Sequence, residues 1–233
     1  MNKNDINEKP ASCQIAVTGS RFVPMLMSTP MVVAILNGTK TETRRIVKPQ
    51  PDYFLNCVNG KPQPIELKSG ISQFFAVVTD EMDVTNDKCI YPKVNVNDII
   101  WVRETFNLHS DLPEIRPEYW YKADNEIYPG IKWKPPLFMT KEACRIFLKV
   151  VDVKVERLKD IDEESAIKEG IERLKPDGLL SFRSYAVKYD ACVFPIVSYQ
   201  TLWQKINGKE SWDENPFVWV YKFEVVERPH DFL

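Results

Sequence analysis

Histidine, paired cysteine, long apolar runs and net charge are all scarce in this chain, and each scarcity removes a class of function. Only two of 233 residues, His109 and His230, are histidines, so a metal centre built on imidazole ligands is not expected. The five cysteines, Cys13, Cys57, Cys89, Cys144 and Cys192, include no two within 30 residues of each other. Without a CxxC unit, an odd and scattered set suits reduced, buried thiols better than a disulfide framework or a zinc site. No metal or other cofactor is therefore expected. No segment approaches the ~20 apolar residues that span a bilayer. Residues 1–20 lack the apolar core of a signal peptide and read as a flexible leader, with the protein expected in the cytoplasm and away from membranes. A net charge of -2 leaves no global basic field, so any nucleic-acid contact has to come from a local patch. There is no internal repeat and no low-complexity tract.

What is present is ordinary globular material. Hydrophobic residues make up 44% and charged residues 27%, enough apolar side chains over this length to bury a core without staples. Residues 21–228 read as one domain, with insert-like stretches at about 52–90 and 172–198. Residues 22–27 form a short apolar strand. Thr29 can cap and Pro30 open a helix over 31–37 that Gly38 ends. Residues 74–78 (FFAVV), 98–105 (DIIWVRET), 119–123 (YWYKA) and 216–226 (PFVWVYKFEVV) read as strands. Residues 134–139 form an extended approach with two prolines. Residues 145–157 alternate with period two, Ile146, Leu148 and Val150 on one face against Phe147, Lys149 and Val151 on the other. An acidic start at 160–164 opens a helix over 165–171. Residues 199–207 form another, with Tyr199, Leu202, Trp203 and Ile206 on one side. Strands separated by short helices, without βαβ alternation, imply an α+β domain on a curved sheet or small barrel.

Three segments could carry chemistry. The first is Gly38 to Arg45 (GTKTETRR), where Lys40, Arg44, Arg45 and the following Lys48 face one acid, Glu42. Arginine offers a planar fork, and lysine a compact charge whose pKa falls on burial. The segment is a phosphate- or base-binding corner or a solvated basic turn. Strand alternation does not decide whether Lys40 and Thr43 converge. The second is Trp101 to Thr105, where Arg103 and Glu104 line a site or form an ion pair. The third is 160–170. There Glu169 lies late in a helix, against the helix dipole, and calls for a cation such as Lys40 or Lys168. Trp203 and Trp219 are core candidates, while Trp101, Trp120 and Trp133 could stack on bases.

Taken in order, the segments PMVVAILNGTKTETRRIVKPQP, DIIWVRETF, YKAD, WKPPLFMTKEACRI, VERLKDIDEESAIKEGI, LWQKING and SWDENPFVWVYKFEVV resemble the ASCH-domain proteins of bacteria and their phages. The likeness runs from about Phe22 to Val226, and the hallmark GxKxxTxR is present as Gly38, Lys40, Thr43 and Arg45. It implies a PUA-like β-barrel of about five to seven strands with flanking short helices, and a cleft that binds RNA or a modified nucleoside. Small members are amidohydrolases that deacetylate N4-acetylcytidine, and others are linked to RNA cleavage. The resemblance assigns catalysis to Lys40, Thr43 and Glu169, with Glu163 and Glu164 as less favoured alternatives for the acid. The residues expected to bind the ligand are Gly38, Arg44, Arg45, Trp101, Arg103 and Glu104. The chain departs from its phage-type relatives at 91–98, where the usual YGxxGD turn reads YPKVNVND. It is also longer than the minimal amidohydrolases. A non-catalytic RNA or single-stranded nucleic-acid module, or a phage accessory protein acting through a protein partner, fits the same residues.

Overall fold

The computed structural model describes residues 21–51, 53–58, 61–65, 71–72, 74–78, 88–109, 118–124, 130–174, 180–187 and 191–232. The expected leader at 1–20 lies outside them. In chain order the strands are β1 (Phe22–Leu26), β2 (Glu42–Ile46), β3 (Tyr53–Val58), β4 (Lys61–Ile65), β5 (Ile71–Ser72), β6 (Phe74–Val78), β7 (Lys88–Ile90), β8 (Ile99–Arg103), β9 (Phe106–His109), β10 (Glu118–Tyr121), β11 (Phe147–Arg157), β12 (Arg173–Leu174), β13 (Ser181–Arg183), β14 (Ala191–Cys192) and β15 (Phe217–Val226). The helices are α1 (Thr29–Leu36), α2 (Glu163–Lys168) and α3 (Pro195–Asn207). The fold is α+β.

The main sheet runs β1-β8-β11-β15-β2, with β5 added to β11. Among the described residues only β1 and β8 pair in parallel, and the helix-containing connection between them satisfies the need for a long crossover. Among the described residues no strand ladder closes this sheet into a barrel. Its two edge strands nevertheless approach one another, because Arg45 on β2 donates from Nη2 to the carbonyl of Leu26 on β1 at 3.3 Å. The sheet is curled until its edges stand one arginine side chain apart. Inside the curl lie Met25, Ile100, Val102, Leu148, Val150, Val155, Trp219, Tyr221 and Phe223, capped by Met31, Val32 and Ile35 of α1. On the outer face a second core gathers Tyr199 and Trp203 of α3, Ala166 of α2, and Val218 and Val220 of β15.

β11 breaks its own alternation. Val150 pairs with Phe223 and Asp152 with Lys222, so Val151 is the extra residue of a bulge and is 47% exposed. Before the bulge the even residues Leu148 and Val150 face the inner core; after it the odd residues Val153 and Val155 do. A bulge flips every later side chain to the other face. Here it turns Glu156 outward, under α2 and α3. In α3, Tyr199 and Trp203 are buried as the helical spacing expects, but Ile206, in the last turn, is 52% exposed. Residues 136–138, expected to be extended, form a 3-10 turn.

Candidate functional site

Lys40 is positioned by the end of α1. Gly38 adopts φ 71°, which returns the chain so that Thr39 and Lys40 both donate their N–H groups to Ala34 O at 2.9 Å. The chain then enters β2, where Phe223 N bonds Thr41 O and Val47 N bonds Phe217 O. The odd residues of β2 thus face β15, and the even residues turn their backbone groups to the open edge. Lys40 covers one of these. Its Nζ donates to Glu42 O, to Glu169 O and to Glu169 Oε2, each at 2.8 Å. An ammonium has three protons and no acceptor, so all three are spent.

Glu169 is the C-cap of α2, a position where a carboxylate opposes the helix dipole. The compensating cation is Lys40, 129 residues away, and not Lys168, which pairs with Glu164 at 2.6 Å. Close approach here depends on Gly170, whose φ is 86° and whose added Cβ would stand 2.7 Å from Ala34 Cβ and 2.8 Å from Lys40 Cβ.

A second cation shares the carboxylate. Arg44 reaches Glu169 Oε1 at 3.1 Å, Glu42 Oε2 at 3.4 Å and Glu156 Oε1 at 2.8 Å. Lys154 completes the group on Glu156 Oε2 at 2.7 Å. Three cations thus meet three carboxylates, and the cluster is neutral. Tyr199 adds its hydroxyl to Glu169 Oε1 at 3.5 Å.

Burial would raise the Glu169 carboxyl pKa, but Lys40 and Arg44 outweigh it and hold it below the ordinary value. Burial pushes Lys40 down, and although Glu169 opposes this, Arg45 and Arg44 add to the lowering. Burial first and Glu169 second push the Tyr199 phenol far up. The cluster thus favours Glu169 as its carboxylate and Tyr199 as its neutral phenol.

Thr43 stands apart from that pair. Alternation puts it with Arg45 on the inner face of β2, opposite Glu42 and Arg44. It is 1% exposed, and its Oγ1 has no hydrogen-bond partner. Lys40 and Glu169 are thus joined directly, while Thr43 is bonded to neither. Arg44, also expected to face a ligand, has its side chain fully buried among three carboxylates and presents no surface. Gly38 is exposed and shapes the turn.

Arg45 leads to a cleft. Besides Leu26 O its Nη2 approaches Met27 Sδ at 3.8 Å. Residues 26–30 form one wall of a cleft of about 590 Å³, with Thr105, Lys122 and residues 135–137 opposite. Arg103 sits in register with Leu26 and donates from Nη2 to Leu137 O, while its guanidinium lies over the Trp101 ring at 5.4 Å. Trp101 itself is buried against Phe232, ring centroids 5.8 Å apart, and offers no open face for a base. Glu104 is turned away from the cleft cations. It holds Arg145 through Nε at 2.9 Å and Nη2 at 3.1 Å, and burial raises its pKa despite that partner.

Glu42, Glu156, Tyr199 and Lys122 were not among the site residues expected from the sequence. Glu156 has no local signal, because its direction depends on a bulge. Tyr199 was legible as buried, though not as a partner of Glu169. Among the described residues no group of three or more His, Cys, Asp or Glu side chains could hold a metal ion, and no helix is long and apolar enough to cross a membrane. Cys144 and Cys192 are buried. No family model, curated protein or solved structure matches the chain.

Proposed function

We propose that the chain is a nucleotide-directed protein of the ASCH type, binding RNA or a modified nucleoside beside the inner face of β2. In its sharper form the reading is metal-independent hydrolysis of the amide of N4-acetylcytidine. The curled sheet is then the PUA-like barrel with its β1 and β2 edges bridged by Arg45. One observation carries the proposal. A fully buried Lys40 is held by Glu169 from 129 residues away, two residues before the strand that carries an unpartnered buried hydroxyl, Thr43.

In this reading the Thr43 hydroxyl attacks the acetyl carbonyl and Arg45 supports the oxyanion. A lysine with a lowered pKa releases a proton more readily than an ordinary one. Lys40 therefore protonates the leaving N4 amine as the C–N bond breaks. The amine that remains takes up the proton from Thr43, so Lys40 ends the first step as the ammonium it began as. In the second step water attacks the acyl-threonine, one of its protons restores the Thr43 hydroxyl, and acetate leaves with the other proton released to solvent. Glu169 keeps Lys40 in place throughout.

A second reading, binding without chemistry, is favoured by a different fact: all three Lys40 protons are already donated. In that case Lys40 and Glu169 are a structural tie between α2 and β2. The two readings separate on incubation of the protein with N4-acetylcytidine, alongside Thr43→Val and Lys40→Met variants checked for folding by circular dichroism. Cytidine released by the wild type and lost in both folded variants supports hydrolysis. Release that persists in Thr43→Val removes Thr43 from the chemistry. No release, together with RNA affinity that falls steeply with salt, leaves the binding reading.

A further inference from the structure

The cleft at the end of β1 is lined by one cation, Lys122, and two arginines, Arg45 and Arg103, bond its wall residues Leu26 and Leu137. Arg45 reaches across from β2 to Leu26 O. Arg103, in register with Leu26 on the neighbouring strand, is tied to Leu137 O on the far wall. Lys122 lines the cleft directly. None of the three has a carboxylate partner among the described residues, whereas Arg21, Arg44, Arg145 and Arg183 each pair with Asp or Glu. Among the described residues no acidic side chain lines the cleft. Arg103 Nε is buried and has no hydrogen-bond partner, although it belongs to a group that presents five donors.

Carbonyl oxygens orient these guanidinium groups without cancelling their charge. A cleft of about 590 Å³ is within the range of small-ligand sites. Its apolar surface, from Leu26, Pro30, Pro135 and Pro136, suits a flat ring. The cations at its margin suit a bidentate anion.

We infer that this cleft takes a phosphate attached to the base-bearing ligand, so that the preferred ligand is a nucleotide, free or within an RNA strand, and not a neutral nucleoside. The inference deepens the functional proposal and rests on it only for the identity of the base. Arg103 and Lys122 are the phosphate contacts, with Arg45 beside them at the Leu26 wall.

Equilibrium dialysis against cytidine, cytidine 5′-monophosphate, inorganic phosphate and a short oligocytidylate tests it. Cytidine is the product of the proposed hydrolysis and is not consumed. The wild type is expected to bind the monophosphate at least tenfold more tightly than cytidine. Lys122→Gln, at an exposed position, and Arg103→Lys, which keeps the charge but not the fork, should each shrink that preference several-fold. Equal binding of cytidine and its monophosphate overturns the inference and leaves the nucleoside reading standing. Phosphate and monophosphate binding alike, with no cytidine binding, upholds the anion site and overturns the base-directed reading. No binding of any probe overturns both. Oligocytidylate bound far more tightly than the monophosphate, with a steep salt dependence, identifies the phosphate as one within a strand.

Discussion

Arg44 and Arg45 are neighbours on one strand and meet opposite environments. Arg44 faces outward into a closed cluster where Glu42, Glu156 and Glu169 surround it. Arg45 faces inward and ends at a cleft wall, held by Leu26 O and Met27 Sδ. The first arginine is consumed by the fold, and the second keeps its charge available. Basic composition alone treats the pair as equivalent; the pleat separates them.

The largest expected effect tests the closed side. Arg44→Met leaves three buried carboxylates sharing Lys40 and Lys154. Removing one partner of a buried ion pair costs about 3–5 kcal/mol, and the loss should appear as a lower denaturant midpoint at unchanged slope. A loss below about 1 kcal/mol would mean that water reaches the carboxylates and that the two arginines differ less than their surroundings suggest.

The glycines sharpen the same comparison. Gly170 and Gly38 both have positive φ, 86° and 71°. An added Cβ meets Ala34 and Lys40 within 2.8 Å at Gly170 and nothing within 4 Å at Gly38. Gly170→Ala therefore combines a left-handed backbone penalty with overpacking, about 2–4 kcal/mol together. Gly38→Ala bears only the first, about 1 kcal/mol. Both are read from denaturation, and equal losses would show that the packing around Lys40 yields freely.

Two buried carboxylates give a pH form of the contrast. Glu169 titrates below the ordinary 4.5, so its contribution is present above 4.5 and is lost as pH falls through the lowered value. Glu104 titrates above 4.5 because burial outweighs Arg145. Its contribution is present below 4.5 and is lost as pH rises through the raised value. Stability of Glu169→Gln relative to wild type should recover toward acid pH, and that of Glu104→Gln toward neutral pH. Unfolding curves across the acid limb check both signs. Parallel behaviour would mean that the two carboxylates are equivalent after all.

Local pattern carried much of the fold into view. The strands at 22–27, 74–78 and 216–226 and the helix opened by Ser28-Thr29-Pro30 have their signals within a few residues, and the observed β1, β6, β15 and α1 fall there. The need of Glu169 for a cation was also legible, because a carboxylate at a helix C-terminus is locally unfavourable. The choice of Lys40 over Lys168 was not, since it depends on Gly170 bringing α2 against the end of α1. The bulge at Val151 was hidden by an alternation that reads smoothly on both sides of it. With it went the direction of Glu156, and so the fate of Arg44. The cleft was invisible for the same reason. It joins residues 26–30 to 135–137, which share no local pattern.

The smallest effect belongs to Arg45 and completes the comparison. Arg45→Met removes two weak contacts, at 3.3 and 3.8 Å, from a side chain that is not fully buried. It strands no carboxylate, because Arg45 has none among the described residues. Substitutions away from such features stay within about 0.5 kcal/mol, so the midpoint should hardly move. If Arg45→Met instead destabilises as much as Arg44→Met, the bridge between β1 and β2 is what keeps the sheet curled. Arg45 would then be consumed by the fold just as its neighbour is, and the free charge at the cleft would rest on Arg103 and Lys122 alone.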